Sequence, residues 1–77
     1  MNDYKSRMIE EHSQLKKRIG KLRDMLINWR YGHLDFTPDC PYDLLRAQLY
    51  AMKTYESILR ERARFERIVL EPEESNS

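Results

Sequence analysis

A single cysteine, two glycines and three prolines in 77 residues are few, and each shortage removes a class of protein. Cys40 alone cannot form an intrachain disulfide, which excludes a small secreted disulfide scaffold. Cys40, His12 and His33 stand apart from one another without the paired spacing of zinc ligands, so no metal site is expected. No apolar run approaches membrane-spanning length, and Met1 to Ile9 is charged where a signal peptide would be apolar; a soluble, cytoplasmic protein is expected. There is no glycine-rich phosphate loop, no nucleophile at a recognisable spacing from either histidine, and no carboxylate pair across the expected helix seam. The chain therefore reads as a non-enzyme without a cofactor.

A chain this short forms one small domain, whose core supplies roughly 3–5 kcal/mol of net stability. With neither disulfide nor metal, oligomerisation is the remaining reinforcement. The formal charge is +1, from 14 basic and 13 acidic residues, but three acids (Glu71, Glu73, Glu74) fall in the last seven positions. Residues 1–70 thus carry 14 basic against 10 acidic side chains, a mild excess that does not by itself argue for nucleic acid.

What the sequence has in quantity is heptad periodicity. Leu45, Met52 and Leu59 repeat every seven, with Gln48, Tyr55 and Arg62 beside them, the spacing of a helix packed on a partner helix. Upstream, Met8, Leu15, Leu22 and Trp29 form one row and His12, Ile19 and Leu26 the other. Asn2 or Asp3 suits the cap of a first helix over about 4–30, and Gly32 suits its end. Pro41 suits the first turn of a second helix over about 41–69, with Asp39 or Cys40 as cap and Asp43 near the positive helix end. Leu34 and Phe36, in the connection, are expected to fold over the open end near Trp29 and Leu45. Pro72 and the acidic, serine-rich residues around it predict a disordered tail over 71–77.

The fold expected is all-α, an antiparallel two-helix hairpin over 1–70. Pairing residues whose numbers sum to 74 places Trp29 on Leu45, Leu26 on Gln48, Leu22 on Met52, Ile19 on Tyr55, Leu15 on Leu59 and His12 on Arg62. The second helix has more apolar surface than one partner covers: Leu44, Ala51, Ile58 and Phe65 on one flank, and Tyr42, Leu49 and Ala63 on the other. Self-association into a helical bundle or ring through Leu44, Leu49, Ala51, Ile58 and Phe65 follows, although a heterologous partner could cover the same surface.

Two constellations bear on binding. Arg46, Lys53, Arg60 and Arg67 repeat every seven, with Tyr50 and Arg64 between them; this ridge is either a phosphate- and base-binding surface or an ordinary solvated face. The polar row Gln48, Tyr55, Arg62 facing His12, with Lys16 and Arg18 alongside, is either a structural hydrogen-bond network or an anion pocket between hairpins. In the second case His12, Lys16, Arg18, Tyr55 and Arg62 hold the ligand.

The segments Met1 to Glu11, Leu15-Lys16-Lys17-Arg18-Ile19-Gly20-Lys21-Leu22 and Leu34-Asp35-Phe36-Thr37-Pro38-Asp39-Cys40-Pro41, followed by Gln48, Ala51-Met52, Tyr55, Leu59 and Arg62, resemble a family of short phage proteins related to one from crAss-like phages. In architecture the chain is similar to the helical-hairpin domain of viral sponge proteins, which oligomerise and sequester the cyclic nucleotide signals of CBASS and Thoeris immunity. The resemblance implies a phage counter-defence protein that binds an anionic cyclic nucleotide in intersubunit pockets, in the host cytoplasm. The residues leave open a protein-binding module acting on a host protein or in assembly, and, less favoured, nucleic-acid binding through the Arg46 to Arg67 ridge.

Overall fold

The computed structural model describes residues 4–70. The expected caps Asn2 and Asp3, and the expected disordered tail over 71–77, lie outside the described residues. Within them the chain is all-α: helix α1 (Tyr4–Arg30) and helix α2 (Tyr42–Glu66) pack antiparallel, joined by residues 31–41. No helix among the described residues is long and apolar enough to cross a membrane.

Helix α1 ends where glycine permits. Gly32 takes φ 75°, its N–H donates to the Trp29 carbonyl at 3.1 Å, and the His33 N–H donates to the Asn28 carbonyl at 2.7 Å. These two bonds satisfy carbonyls that the last helical turn leaves open. Helix α2 begins differently from expectation, because Pro41 itself is the N-cap residue. Its carbonyl accepts from the N–H groups of Leu44 and Leu45, and no side chain caps the turn, so neither Asp39 nor Cys40 has that role. Phe36 stays 56% exposed instead of folding over the hairpin end. An edge-to-face contact between Trp29 and Tyr42, ring centroids 5.3 Å apart, closes that end.

On α1 the seam is as expected: Met8, His12, Leu15 and Leu26 are buried, and Ile19, Leu22 and Trp29 are half-buried. On α2 the row Leu45, Met52, Leu59 faces α1, but its companion row is Tyr42, Leu49, Glu56, Ala63, and Gln48, Tyr55 and Arg62 are exposed. At 100° per residue this is a rotation of α2 by about 50° from the expected face. The pairing changes with it. Trp29 meets Tyr42, three positions before Leu45, and His12 meets Glu56, six positions before Arg62. The rotation replaces Gln48 and Arg62 in the seam by Leu49 and Ala63, and Tyr55 by a carboxylate that His12 can bond. A buried Arg62 would have carried an uncompensated charge. Leu49 consequently leaves the expected oligomer surface, whereas Leu44, Ala51, Ile58 and Phe65 remain exposed.

The far end of the hairpin holds the buried apolar cluster of Met8, Leu15, Leu59, Ala63 and Ile68. Ile68 enters it because α2 stops at Glu66, short of the expected Val69. Arg67 adopts φ 58°, its N–H reaches the Arg64 carbonyl, and the Ile68 N–H donates to Ala63 at 2.8 Å. This is the same terminating motif as at Gly32, with an arginine in the left-handed position, a conformation that costs a non-glycine residue roughly 1–2 kcal/mol. Arg67→Gly is expected to raise stability by about 1 kcal/mol, read as a higher urea midpoint at unchanged slope.

Candidate functional site

The polar centre of the seam is built from both helices. The four-residue step from Met8 to His12 turns the imidazole inward, where it is 3% exposed, and its Nε2 donates to Glu56 Oε2 at 2.7 Å. Arg60, one turn beyond Glu56, closes on the same carboxylate with both arms of its guanidinium: Nε to Oε2 at 2.9 Å and Nη2 to Oε1 at 3.1 Å. The fork matches the planar geometry in which arginine binds carboxylates best. Burial pushes the Glu56 carboxyl up, but the hydrogen bonds from His12 and Arg60 and their charges outweigh it, and the net shift is downward. His12 Nδ1 is buried with no hydrogen-bond partner among the described residues.

The sign of the acid response follows. A carboxyl lowered in the folded state stabilises the fold while ionised; that contribution is complete above the ordinary glutamate value of about 4.3 and is lost as pH falls through the lowered one. Glu56→Gln is expected to flatten the stability difference between neutral and acid pH, as measured by urea titrations across that window.

On one side of the seam lies an open groove of about 320 Å³, lined by Arg7, Glu10, Glu11, Gln14, Leu15, Arg18 and Tyr55. Steps of three and four residues carry Arg7, Glu11, Gln14 and Arg18 along one stripe of α1, and Tyr55 supplies the α2 wall. The Tyr55 hydroxyl donates to the Glu11 carboxylate. That bond first, then burial and the Glu11 charge, holds the phenol above its usual range, while Arg62 pulls it the other way. Arg62 is paired with Glu66 at 3.5 Å.

Of the five ligand residues expected from the sequence, the structure groups Arg18 and Tyr55 in this groove, with Arg62 close enough for its charge to act on Tyr55. His12 does not face Arg62 and is enclosed in the seam. Lys16 falls on the opposite flank of α1 by helical position, the side on which α2 carries Arg46, Lys53 and Arg60. The sequence reading missed Glu56 and Glu11. The signal for Glu56 was available: a histidine in an apolar seam needs a partner, and a carboxylate accepts from its ring N–H without adding a second buried cation. Among the described residues no cluster of side chains could hold a metal ion.

The fold defines a small all-α protein that presents a groove between two helices. Comparison with known families matches residues 2–65, both helices almost to the end of α2, to Sequestin, and the chain belongs to the Sequestin family. The name is that of a sequestering protein, which is compatible with a binding role. No curated protein and no solved structure matches the chain.

Proposed function

We propose that this is a phage-encoded counter-defence protein that binds an anionic, cyclic nucleotide immune signal and withholds it from its receptor without altering it. The observation that carries the reading is the groove: Tyr55 and Leu15 offer an aromatic wall and apolar floor for a base, with guanidinium groups at Arg7, Arg18 and Arg62 for phosphates. Membership of the Sequestin family supports it. Glu11 holds the Tyr55 hydroxyl in the unliganded hairpin, so a phosphate entering the groove exchanges with that carboxylate. His12 acts from beneath by fixing the seam, and Lys16 adds positive charge from the other flank. The protein works as an oligomer of hairpins in the host cytoplasm.

Calorimetric titration against cyclic di- and trinucleotides and ADP-ribose derivatives tests the reading. We expect one class to bind, and Arg18→Glu or Tyr55→Ala to weaken it at least tenfold with helix content unchanged; no heat and no thermal shift for any of them sinks it. A second reading, a module that docks on a host protein, draws on the exposed row Leu44, Ala51, Ile58, Phe65. There Ile58→Asp would abolish capture and Arg18→Glu would not.

A further inference from the structure

Packed helices commonly set opposite charges against each other along the edges of their seam. The edge of this hairpin away from the groove does the reverse. Beside the α1 seam on that edge, Lys16, Arg23 and Arg30 repeat every seven; beside the α2 seam, Arg46, Lys53 and Arg60 do the same, and neither row is interrupted by an acid. The register set by His12 with Glu56 and by Trp29 with Tyr42 places Lys16 across from Lys53 and Arg23 across from Arg46. Cations thus face cations in two successive layers, about 10.5 Å apart along the helices.

The carboxylates nearest this edge do not cancel it. Glu56 already accepts from both His12 and Arg60, and Asp24 meets Arg23 at 3.5 Å where both side chains are more than half exposed, so water and salt screen the pair. Like charges held opposite each other lower the stability of a small hairpin. The groove edge is balanced instead, with Glu11 bonded to Tyr55 and Glu66 paired with Arg62. A local rule broken on one edge and kept on the other points to what the first edge holds.

We infer that the basic edge binds the phosphate backbone of a single-stranded nucleic acid without reading its sequence. Two cationic rows about 21 Å long, on helices roughly 8–10 Å apart, match a ligand with charge repeated along its length, whereas a small anion would use one layer. Tyr50 selects the strand over the duplex. It borders the α2 row between Arg46 and Lys53, its ring is 55% exposed, and the Arg46 guanidinium lies over it at 5.5 Å with Nη2 donating to its hydroxyl at 3.3 Å. An unpaired base stacks on such a ring or guanidinium plane whatever its identity, and a duplex keeps its bases inside. The mild basic excess of the chain says little by itself; its collection on one edge, opposite the groove of Arg18 and Tyr55, makes this a second and separate site.

The test is fluorescence anisotropy of a labelled oligothymidylate of about 20 nucleotides, titrated with the full chain over a range of salt, with circular dichroism as the control for folding. The logarithm of the affinity is expected to fall against that of salt with a slope of about −3, the value for four to five phosphate contacts on a single strand. Arg46→Gln and Lys53→Gln should each weaken binding severalfold and make the slope shallower by about 0.7. Arg23→Glu, which sets opposite charges across from Arg46, is expected to weaken it about tenfold while the urea midpoint stays level or rises, a divergence that a merely structural edge would not show. Tyr50→Ala should weaken the strand severalfold and leave duplex binding unchanged. No anisotropy change at low salt overturns the proposal, as does an affinity indifferent to salt. A duplex of the same length bound more tightly than the strand overturns it too, and so does Arg18→Glu, on the other edge, weakening the strand as much as Arg23→Glu. Binding to anionic phospholipid vesicles with none to the strand overturns it and gives the edge to a lipid surface. Strand binding by a chain that takes up no cyclic nucleotide upholds this inference while refuting the sequestration reading.

Discussion

Glu56→Ala is expected to cost about 3 kcal/mol and to remove most of the margin that keeps the hairpin folded at neutral pH. The variant strands His12 in a seam where only 3% of it reaches water and where its other ring nitrogen already lacks a partner among the described residues. It also releases Arg60 from a carboxylate that it holds at 2.9 and 3.1 Å. Against a net stability of roughly 3–5 kcal/mol for a domain this small, such a loss is decisive. Urea unfolding followed by circular dichroism measures it. The double variant His12→Leu/Glu56→Leu should recover wild-type stability or exceed it, because a matched apolar pair avoids desolvating both polar groups. A single variant within about 0.5 kcal/mol of wild type would show that the pair contributes nothing beyond an ordinary surface contact.

Leu59→Ala has the other large expected effect, 2–5 kcal/mol, by loss of transfer energy and by the cavity left among Met8, Leu15, Ala63 and Ile68. At 1% exposure Leu59 is the most enclosed side chain described. Its neighbour Ile58, half exposed on the reverse face, provides the contrast: Ile58→Ala should change the stability of the isolated hairpin by no more than about 0.5 kcal/mol. Two adjacent residues on one helix thus separate what holds the hairpin from what is available to a partner. The comparison is a pair of urea midpoints taken at low protein concentration.

Much of the architecture was legible because α1 carries one unambiguous stripe. Met8, Leu15, Ile19, Leu22, Leu26 and Trp29 leave its inward face no alternative, and His12 falls in step with them. Gly32 was legible as a helix end because only glycine takes its backbone angle without strain. On α2 two faces compete: Gln48, Tyr55 and Arg62 lie on one side of the Leu45, Met52, Leu59 row, and Leu49, Glu56 and Ala63 on the other. Periodicity cannot choose between them, since both are heptad rows; the choice rests on the bond between His12 and Glu56, a long-range pairing that spacing within one helix does not encode. The left-handed Arg67 left no mark in the sequence either, because tertiary burial of Ile68 imposes it. The groove followed suit: Arg18 and Tyr55, both named from the sequence, line it together, while Glu11, which bonds the tyrosine, was not anticipated.

The buried cluster at the far end of the hairpin also has a kinetic meaning. Bringing Leu15 to Leu59 closes a much longer loop than bringing Trp29 to Tyr42, a difference of about 1 kcal/mol in chain entropy. Folding that zips outward from the aromatic pair would form this buried layer last, after the rate-limiting step. On that route Leu59→Ala accelerates unfolding and scarcely slows folding, and most of its effect appears on the unfolding arm of the chevron. The hairpin's lifetime, more than its rate of formation, is then set by the cluster that Ile68 seals.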